Sequence, residues 1–207
     1  MARYPIVDMH ALADAVGVDF AAAANELRAL YADVDARNEA NTRGLNLPCQ
    51  KGCDACCHES VFLTPLEFMV AWDWAQANLD ATARDAIVDR GLALYAENKH
   101  LIDALDEPPP PGHADHFEIA QQIKFRCPML SADGACQVYP VRELYARMFG
   151  CSFNDAGGLY ACGWVAAHLA GQTVTLMQVR PTAKRLNALP LTHKRQVYPH
   201  YFQWLYG

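Results

Sequence analysis

A short box of cysteines constrains this chain more than any other feature. Residues 49–58 read CQKGCDACCH, so four of the eight cysteines fall within nine positions. If the box is helical, its cysteines stand at i, i+4, i+7 and i+8 and share one face. They are Cys49, Cys53, Cys56 and Cys57. Pro48, just before the box, is compatible with the start of a helix.

The length of such a helix limits what its cysteine face can bind. At a rise of about 1.5 Å per residue, Cys49 and Cys57 lie roughly 12 Å apart along a continuous helix. One zinc ion, whose bonds to sulfur are about 2.3 Å long, cannot reach both thiols. We therefore expect that Gly52 breaks the helix and folds Cys49 back, or that the face serves a multinuclear cluster or two centres completed by other segments.

The compartment decides how clustered thiols are interpreted. No apolar run approaches the roughly 20 residues of a membrane span, and the N-terminus has no apolar segment resembling a signal peptide. We therefore expect a cytoplasmic protein without a membrane partner. Reducing compartments disfavour structural disulfides, so clustered thiols there are more often metal ligands than redox groups or inert buried side chains.

The other four cysteines follow a proline-rich break in the chain. Residues 108–111 are four consecutive prolines, which exclude both helix and strand. We expect a single domain over residues 1–207, with possible halves 1–107 and 112–207 joined by this connector. The second half contributes Cys127, Cys136, Cys151 and Cys162. If it folds onto the first half, a shared metal would contribute directly to the free energy of folding.

The pattern of apolar residues predicts a mainly α fold. Helices are expected over 8–42 with Asp19 as N-cap, over 65–78 with a capping box at Thr64 and Glu67, and over 81–105 with Asp80 as N-cap. Shorter helices are expected over 141–149, 164–170 and 182–189. Residues 117–125 are interpreted as a short strand or extended arm. The expected fold is a compact helical domain whose cysteine-rich metal centre joins the halves, with an irregular or hairpin segment near 117–138.

The charges of the chain are unevenly distributed. The net charge is −6, and the last acidic residue is Asp155. Five basic residues follow it, namely Arg180, Lys184, Arg185, Lys194 and Arg195. A segment docked on the acidic body, or a solvated face, explains this tail better than nucleic-acid binding, because the chain as a whole is acidic. The sequence identifies no partner and leaves a protein partner open.

Two blocks of residues resemble the YkgJ-type cysteine cluster proteins, a family described as zinc- or iron-chelating. The first is the C-x3-C-x2-C-C box at residues 49–57. The second has the family form C-P-x-L, a turn, then G-x-C-x-x-Y-x-x-R-P-x-x-C-R-x-F. It is matched by Cys127, Pro128, Leu130, Gly134, Cys136, Tyr139, Arg142, Arg147 and Phe149. The resemblance covers about a third of the chain and implies zinc, iron or an iron-sulfur cluster bound through cysteine.

The chain departs from this family pattern at two positions. Glu143 and Ala146 stand where the family has proline and cysteine, so one implied ligand is missing. Cys151, five residues further on, is a candidate replacement. The two arginines of the block, Arg142 and Arg147, are candidate cofactor-binding residues that would neutralise an anionic thiolate centre.

The spacing does not choose the metal. Two closed four-thiolate zinc sites and an iron-sulfur cluster use the same ligands. His58 directly follows the box, and facing water is the commoner fate of such a histidine. No nucleophile–base pair, phosphate loop or dinucleotide fingerprint is present. Two functions therefore stay open: a structural or accessory metal-binding protein, and an enzyme that performs redox or group-transfer chemistry at an open metal position.

Overall fold

The computed structural model describes residues 2–49, 53–59, 61–108 and 117–207, apart from the side chains of residues 117 and 118. Within these residues the chain is mainly helical, as expected. The helices are α1 (Met9–Asp14), α2 (Phe20–Thr42), α3 (Pro65–Asn78), α4 (Ala81–Ala104), α5 (Phe117–Gln122), α6 (Leu144–Met148), α7 (Gly163–Leu169), α8 (Val179–Asn187) and α9 (Tyr198–Tyr206). The strands are β1 (Phe62–Leu63), β2 (Ser152–Phe153), β3 (Leu159–Tyr160), β4 (Met177–Gln178) and β5 (Gln196–Val197).

Three helix starts coincide with their predicted caps, because side chains there accept hydrogen bonds from free backbone N–H groups. Asp19 accepts from the N–H of Ala22 at 3.0 Å, and Asp80 accepts from that of Ala83 at 2.8 Å. Both halves of the capping box before α3 form, with the Glu67 carboxylate 2.8 Å from the backbone nitrogen of Thr64. These predictions are confirmed.

Several predicted elements differ from the structure. The helix expected over 8–42 is divided into α1 and α2 by a turn in which Gly17 has φ +74°. Residues 117–122 are helical, so the strand or arm expected over 117–125 is wrong for that part. The connector prediction rests mainly on residues 109–111, which lie outside the described residues.

The strands are two residues long and form two small sheets. In the first, β1 pairs antiparallel with β5. In the second, β2 pairs antiparallel with β3 and parallel with β4. The β2–β3 hairpin was not expected from the sequence. Near 117–138 the structure has only an isolated antiparallel bridge between Leu130 and Cys136.

The main core joins the two sides of the proline-rich connector. Helix α3 is buried on nearly all sides, and its Phe68 ring stacks on Tyr201 of α9 at 4.6 Å between centroids. Trp72 meets Phe202 edge to face at 5.0 Å. Burying each such ring contributes about 2–3 kcal/mol. Helix α9 had no predicted counterpart, yet it fills the space between α3 and α4.

A buried carboxylate connects the core to the cysteine-bearing segments. Glu67 is fully buried, and besides capping α3 it accepts hydrogen bonds from the Tyr31 hydroxyl at 3.2 Å and the backbone N–H of Leu144 at 2.8 Å. Three helices, α2, α3 and α6, therefore share one carboxylate. This network fixes the start of α6, and with it the second cysteine block, against the first half of the chain.

The basic tail forms ion pairs with the acidic body. Arg185 pairs with Asp33 of α2, and Lys194 lies 2.6 Å from Asp106. The expectation that this segment docks on the body is confirmed by these contacts. Exposed pairs of this kind each contribute about 0–1 kcal/mol. Within the described residues, no helix combines the length and apolarity needed to cross a bilayer.

Candidate metal centre

All eight cysteines line one cavity of about 830 Å³. They reach it from four segments of the chain: the loop after α2, the turn that precedes β1, the hairpin over residues 127–136, and the loops that flank β2 and β3. The structure therefore brings together the predicted ligands of both halves. Ala146, where the family pattern has cysteine, also lines the cavity, as does the candidate replacement Cys151.

The cysteine box does not form a continuous helix in the residues described. Only Ala55–His58 is helical, as a short 3₁₀ turn that carries Cys56 and Cys57. Cys49 lies before it, in a loop that leaves α2 through Gly44 at φ +83°. The four-thiol helical face is therefore wrong, and Pro48 does not start a helix. Gly52 lies outside the described residues, so its role as a helix breaker stays a prediction.

The second block folds as a hairpin against the box. Gly134 has φ +81°, and Ser131 donates its N–H to the Ala135 carbonyl at 2.9 Å, which confirms the turn predicted there. The backbone N–H of Cys127 donates to the carbonyl of Cys57 at 2.7 Å. A hydrogen bond between main chains thus holds the first cysteine of the hairpin beside the last cysteine of the box.

The last two cysteines flank the β2–β3 hairpin. Gly150 donates its N–H to the Tyr160 carbonyl at 2.7 Å, so Cys151, the next residue, and Cys162, two residues after Tyr160, lie at the same end of the hairpin. Gly150 has φ +85°, and a Cβ atom placed on it would lie 3.6 Å from the Cys49 sulfur. The left-handed backbone favours glycine here, whereas a Cβ atom would make only an ordinary van der Waals contact with the Cys49 sulfur.

The adjacent thiols of the box have opposite pKa shifts. Interaction with the adjacent Cys57 thiol, aided by the charge of Arg142, lowers the pKa of Cys56 to about 7. The same interaction and burial raise the pKa of Cys57. At neutral pH Cys56 is thus a substantial fraction thiolate, the form that binds metals.

Burial keeps most of the other thiols protonated. Desolvation raises the pKa of Cys49 to about 11 and that of Cys136 to about 11, and it raises the pKa of Cys127 and Cys151 as well. The charge of Glu143 adds to the effect at Cys127 and Cys136. A metal that binds these sulfurs must displace their protons.

The two candidate arginines have different surroundings. Arg147 is 4% exposed and already occupied: it pairs with Asp35, donates to the carbonyls of Arg142 and Pro140, and lies over the Tyr31 ring at 4.2 Å. It therefore supports the backbone of the second block.

Arg142 lines the same cavity, and one nitrogen of its side chain is without a hydrogen-bond partner among the described residues. Its guanidinium lies 4.3 Å from the centroid of the Tyr139 ring. Its Nε is buried and has no hydrogen-bond partner among the described residues. Besides lowering the pKa of Cys56, its charge opposes the upward shifts at Cys136 and Cys151. The arginine whose charge acts on the thiols is thus Arg142.

A buried acid and a phenol also line the cavity, and the sequence interpretation gave them no role. The Tyr198 hydroxyl donates to the Glu143 carboxylate at 2.9 Å, and both side chains are almost completely buried. Desolvation raises the pKa of Glu143. The only sequence signal was a charged residue where the family pattern has proline.

His58 faces solvent and is absent from the cavity lining. Its ring nitrogen Nε2 lies 3.2 Å from an Asp54 oxygen, and its side chain is about half exposed. His168, in α7, contacts the carbonyl of Leu45 instead. His113 and His116 lie outside the described residues.

The cysteine sulfurs suit a soft metal, although in this structure they are not positioned to bind one. Thiolates select zinc, copper(I) and iron-sulfur clusters. Among the residues that the structure describes, however, no three His, Cys, Asp or Glu side chains are arranged so that they could hold a metal ion. The cysteines lie in loops and short turns, so metal binding would require the thiols to move inward.

Comparisons with protein-family models, with curated proteins and with solved structures give no match for this chain. The resemblance to the YkgJ-type cysteine cluster proteins therefore stays a prediction that rests on the two sequence blocks.

Proposed function

We propose that this chain is a cysteine-ligated metal-binding protein in which zinc, iron or an iron-sulfur cluster serves as a structural or accessory centre. The observation that supports it is the convergence of all eight cysteines on one cavity from four separate segments. Inert buried cysteines would not need to converge, and among the described residues all eight are free thiols.

The charges of the cavity fit this proposal. Four thiolates around a divalent ion leave a net charge of about −2, which is costly to bury without compensation. The guanidinium of Arg142 supplies a positive charge at the cavity wall, and its buried Nε lacks an acceptor among the described residues. A metal-bound sulfur would be such an acceptor.

The proposal is tested by purifying the protein without oxygen and measuring its metal content and visible spectrum. Zinc in a colourless protein would indicate closed thiolate sites, and broad brown absorption would indicate an iron-sulfur cluster. Cys57→Ser should lower the metal content, whereas Ala55→Ser, which adds a hydroxyl to the same turn and keeps every thiol, should not. A fully folded protein that contains no metal and takes none up would contradict the proposal.

The size of the cavity favours a second candidate, an enzyme with an open metal position. A volume of about 830 Å³ is in the range of small-molecule sites and exceeds the needs of a coordinated ion. An open position would bind an added ligand, so cyanide should shift the visible bands of the cobalt-substituted protein. Unchanged bands would indicate a closed centre and favour the structural role.

A further inference from the structure

The cavity cysteines divide into two sets according to the segments that backbone contacts bring together. The inner set is Cys56, Cys57, Cys127 and Cys136. The outer set is Cys49, Cys53, Cys151 and Cys162. Each set takes two members from the box and two from the second half of the chain, so the division crosses the grouping that the sequence suggests.

Backbone contacts hold the inner set together. The hydrogen bond of 2.7 Å from Cys127 to the Cys57 carbonyl joins box and hairpin, and the bridge between Leu130 and Cys136 places Cys136 on the opposite arm of that hairpin. Cys56 is the neighbour of Cys57 in the same 3₁₀ turn and completes the inner set.

The outer set assembles around Gly150. The Cys49 sulfur lies against Gly150, Cys151 is the next residue, and the hydrogen bond from Gly150 to the Tyr160 carbonyl brings Cys162 near. Cys53, the remaining cysteine that lines the cavity, completes the outer set.

Arg142 lines the cavity that contains both sets. Two centres with four thiolates and a charge of about −2 each would place roughly four negative charges in this cavity. A guanidinium in the cavity wall reduces their mutual repulsion.

We infer that the chain binds metal at two separate four-thiolate centres, one formed by the inner set and one by the outer set, with Arg142 in the wall of the cavity that holds both. This inference rests on the proposed function and adds its stoichiometry and ligand assignment. Each centre takes a thiophilic divalent ion or an iron-sulfur cluster, and each joins the two halves of the chain.

Cobalt(II) titration of the reduced, metal-free chain tests the assignment, because the sulfur-to-cobalt charge-transfer bands report thiolate ligands. The wild-type chain should take up two equivalents. The variant Cys53→Ser/Cys162→Ser removes two outer ligands and should keep one equivalent. The variant Cys53→Ser/Cys57→Ser removes one ligand from each set and should keep no intact four-thiolate centre.

Other outcomes overturn the inference in distinguishable ways. If the centres followed the sequence grouping, the two variants would exchange their results, and one shared multinuclear centre would make both variants equal. A wild-type chain with a single equivalent refutes the two centres and leaves the proposed function standing. A chain that binds no cobalt refutes them too and, if the isolated protein is also metal-free, refutes the proposed function.

A second measurement, made on the wild-type chain, tests the assignment without variants that could misfold. Dibromobimane joins neighbouring thiols, and mass spectrometry of the reduced, metal-free protein identifies the pairs. Bridges within the inner set, such as Cys57 to Cys127, and within the outer set, such as Cys49 to Cys151, should predominate. A predominance of bridges between the sets would overturn the assignment.

Discussion

In the metal-free chain, Cys56 should react faster than Cys49 with a small disulfide. With its pKa near 7, about half of Cys56 is thiolate at pH 7, whereas Cys49, with a pKa of about 11, is thiolate in only about one molecule in ten thousand. A thiolate of higher pKa is the stronger nucleophile. Over four pKa units, this raises the rate at Cys49 by a factor of roughly 60 and offsets part of its disadvantage. The expected net ratio of rates is about 50–100 in favour of Cys56.

The assay is a reaction of the reduced, metal-free protein with a small aromatic disulfide between pH 5 and 9. Peptide mapping by mass spectrometry gives the rate at each cysteine. Cys49 is exposed as a residue, although its sulfur is partly desolvated in the cavity, and Cys56 is only partly accessible. Residue exposure alone therefore predicts the opposite order. The two explanations therefore give different results in the same experiment.

Removing the Cys57 thiol provides the matched test. Cys57→Ala should move the pH midpoint of Cys56 upward from about 7, because the Cys57 thiol is the largest cause of the lowered pKa. At pH 7 the rate should fall several-fold, since fewer thiolates are only partly offset by higher nucleophilicity. Ala55→Ser, in the same turn, should leave the midpoint unchanged. A wild-type midpoint near 9, or faster reaction at Cys49, would refute the reasoning.

Three further predictions concern stability and the connection between the halves. Gly91→Ala should lower the free energy of unfolding by about 1–3 kcal/mol or more in chemical denaturation, because the new Cβ would lie 2.3 Å from a ring carbon of Phe202. Gly163→Ala is the control: Gly163 has open space around it, so this change should alter stability by less than about 1 kcal/mol. The metal-free chain should lose stability between pH 9 and 11, and Cys136 should account for up to about 3 kcal/mol of the loss. In the folded protein the Cys136 thiol keeps its proton up to a pKa of about 11, whereas in the unfolded chain it loses the proton near pH 9. Denaturation curves that show stability rising over this range would contradict the prediction. Cys136→Ser should lower the metal content and speed limited proteolysis at the connector over 108–111 if a metal joins the halves; unchanged content and cleavage would show that the halves are independent.

The sequence predicts this fold best where the determining contacts are local. The start of α3 is set by a proline and a capping box within four residues, and both are visible in the sequence. Helix α9 was missed because its rings are defined by what they pack against, Phe68 and Trp72, more than 120 residues away. The strands were missed for a related reason, since two residues are too few to show an alternating pattern.

At the candidate site the amino-acid sequence is enough to identify the chemistry: eight thiols, a turn that brings Cys127 and Cys136 together, and two arginines in a block of recognisable form. Which thiols become neighbours, and which arginine acts on them, depends on how the chain packs. Arg147 is engaged by Asp35 and by backbone carbonyls, while Arg142 lines the cavity and keeps an Nε without a partner among the described residues. The two arginines are the same residue type five positions apart. Their difference comes from burial and long-range partners, which are properties of the packed chain and leave no local pattern in the sequence.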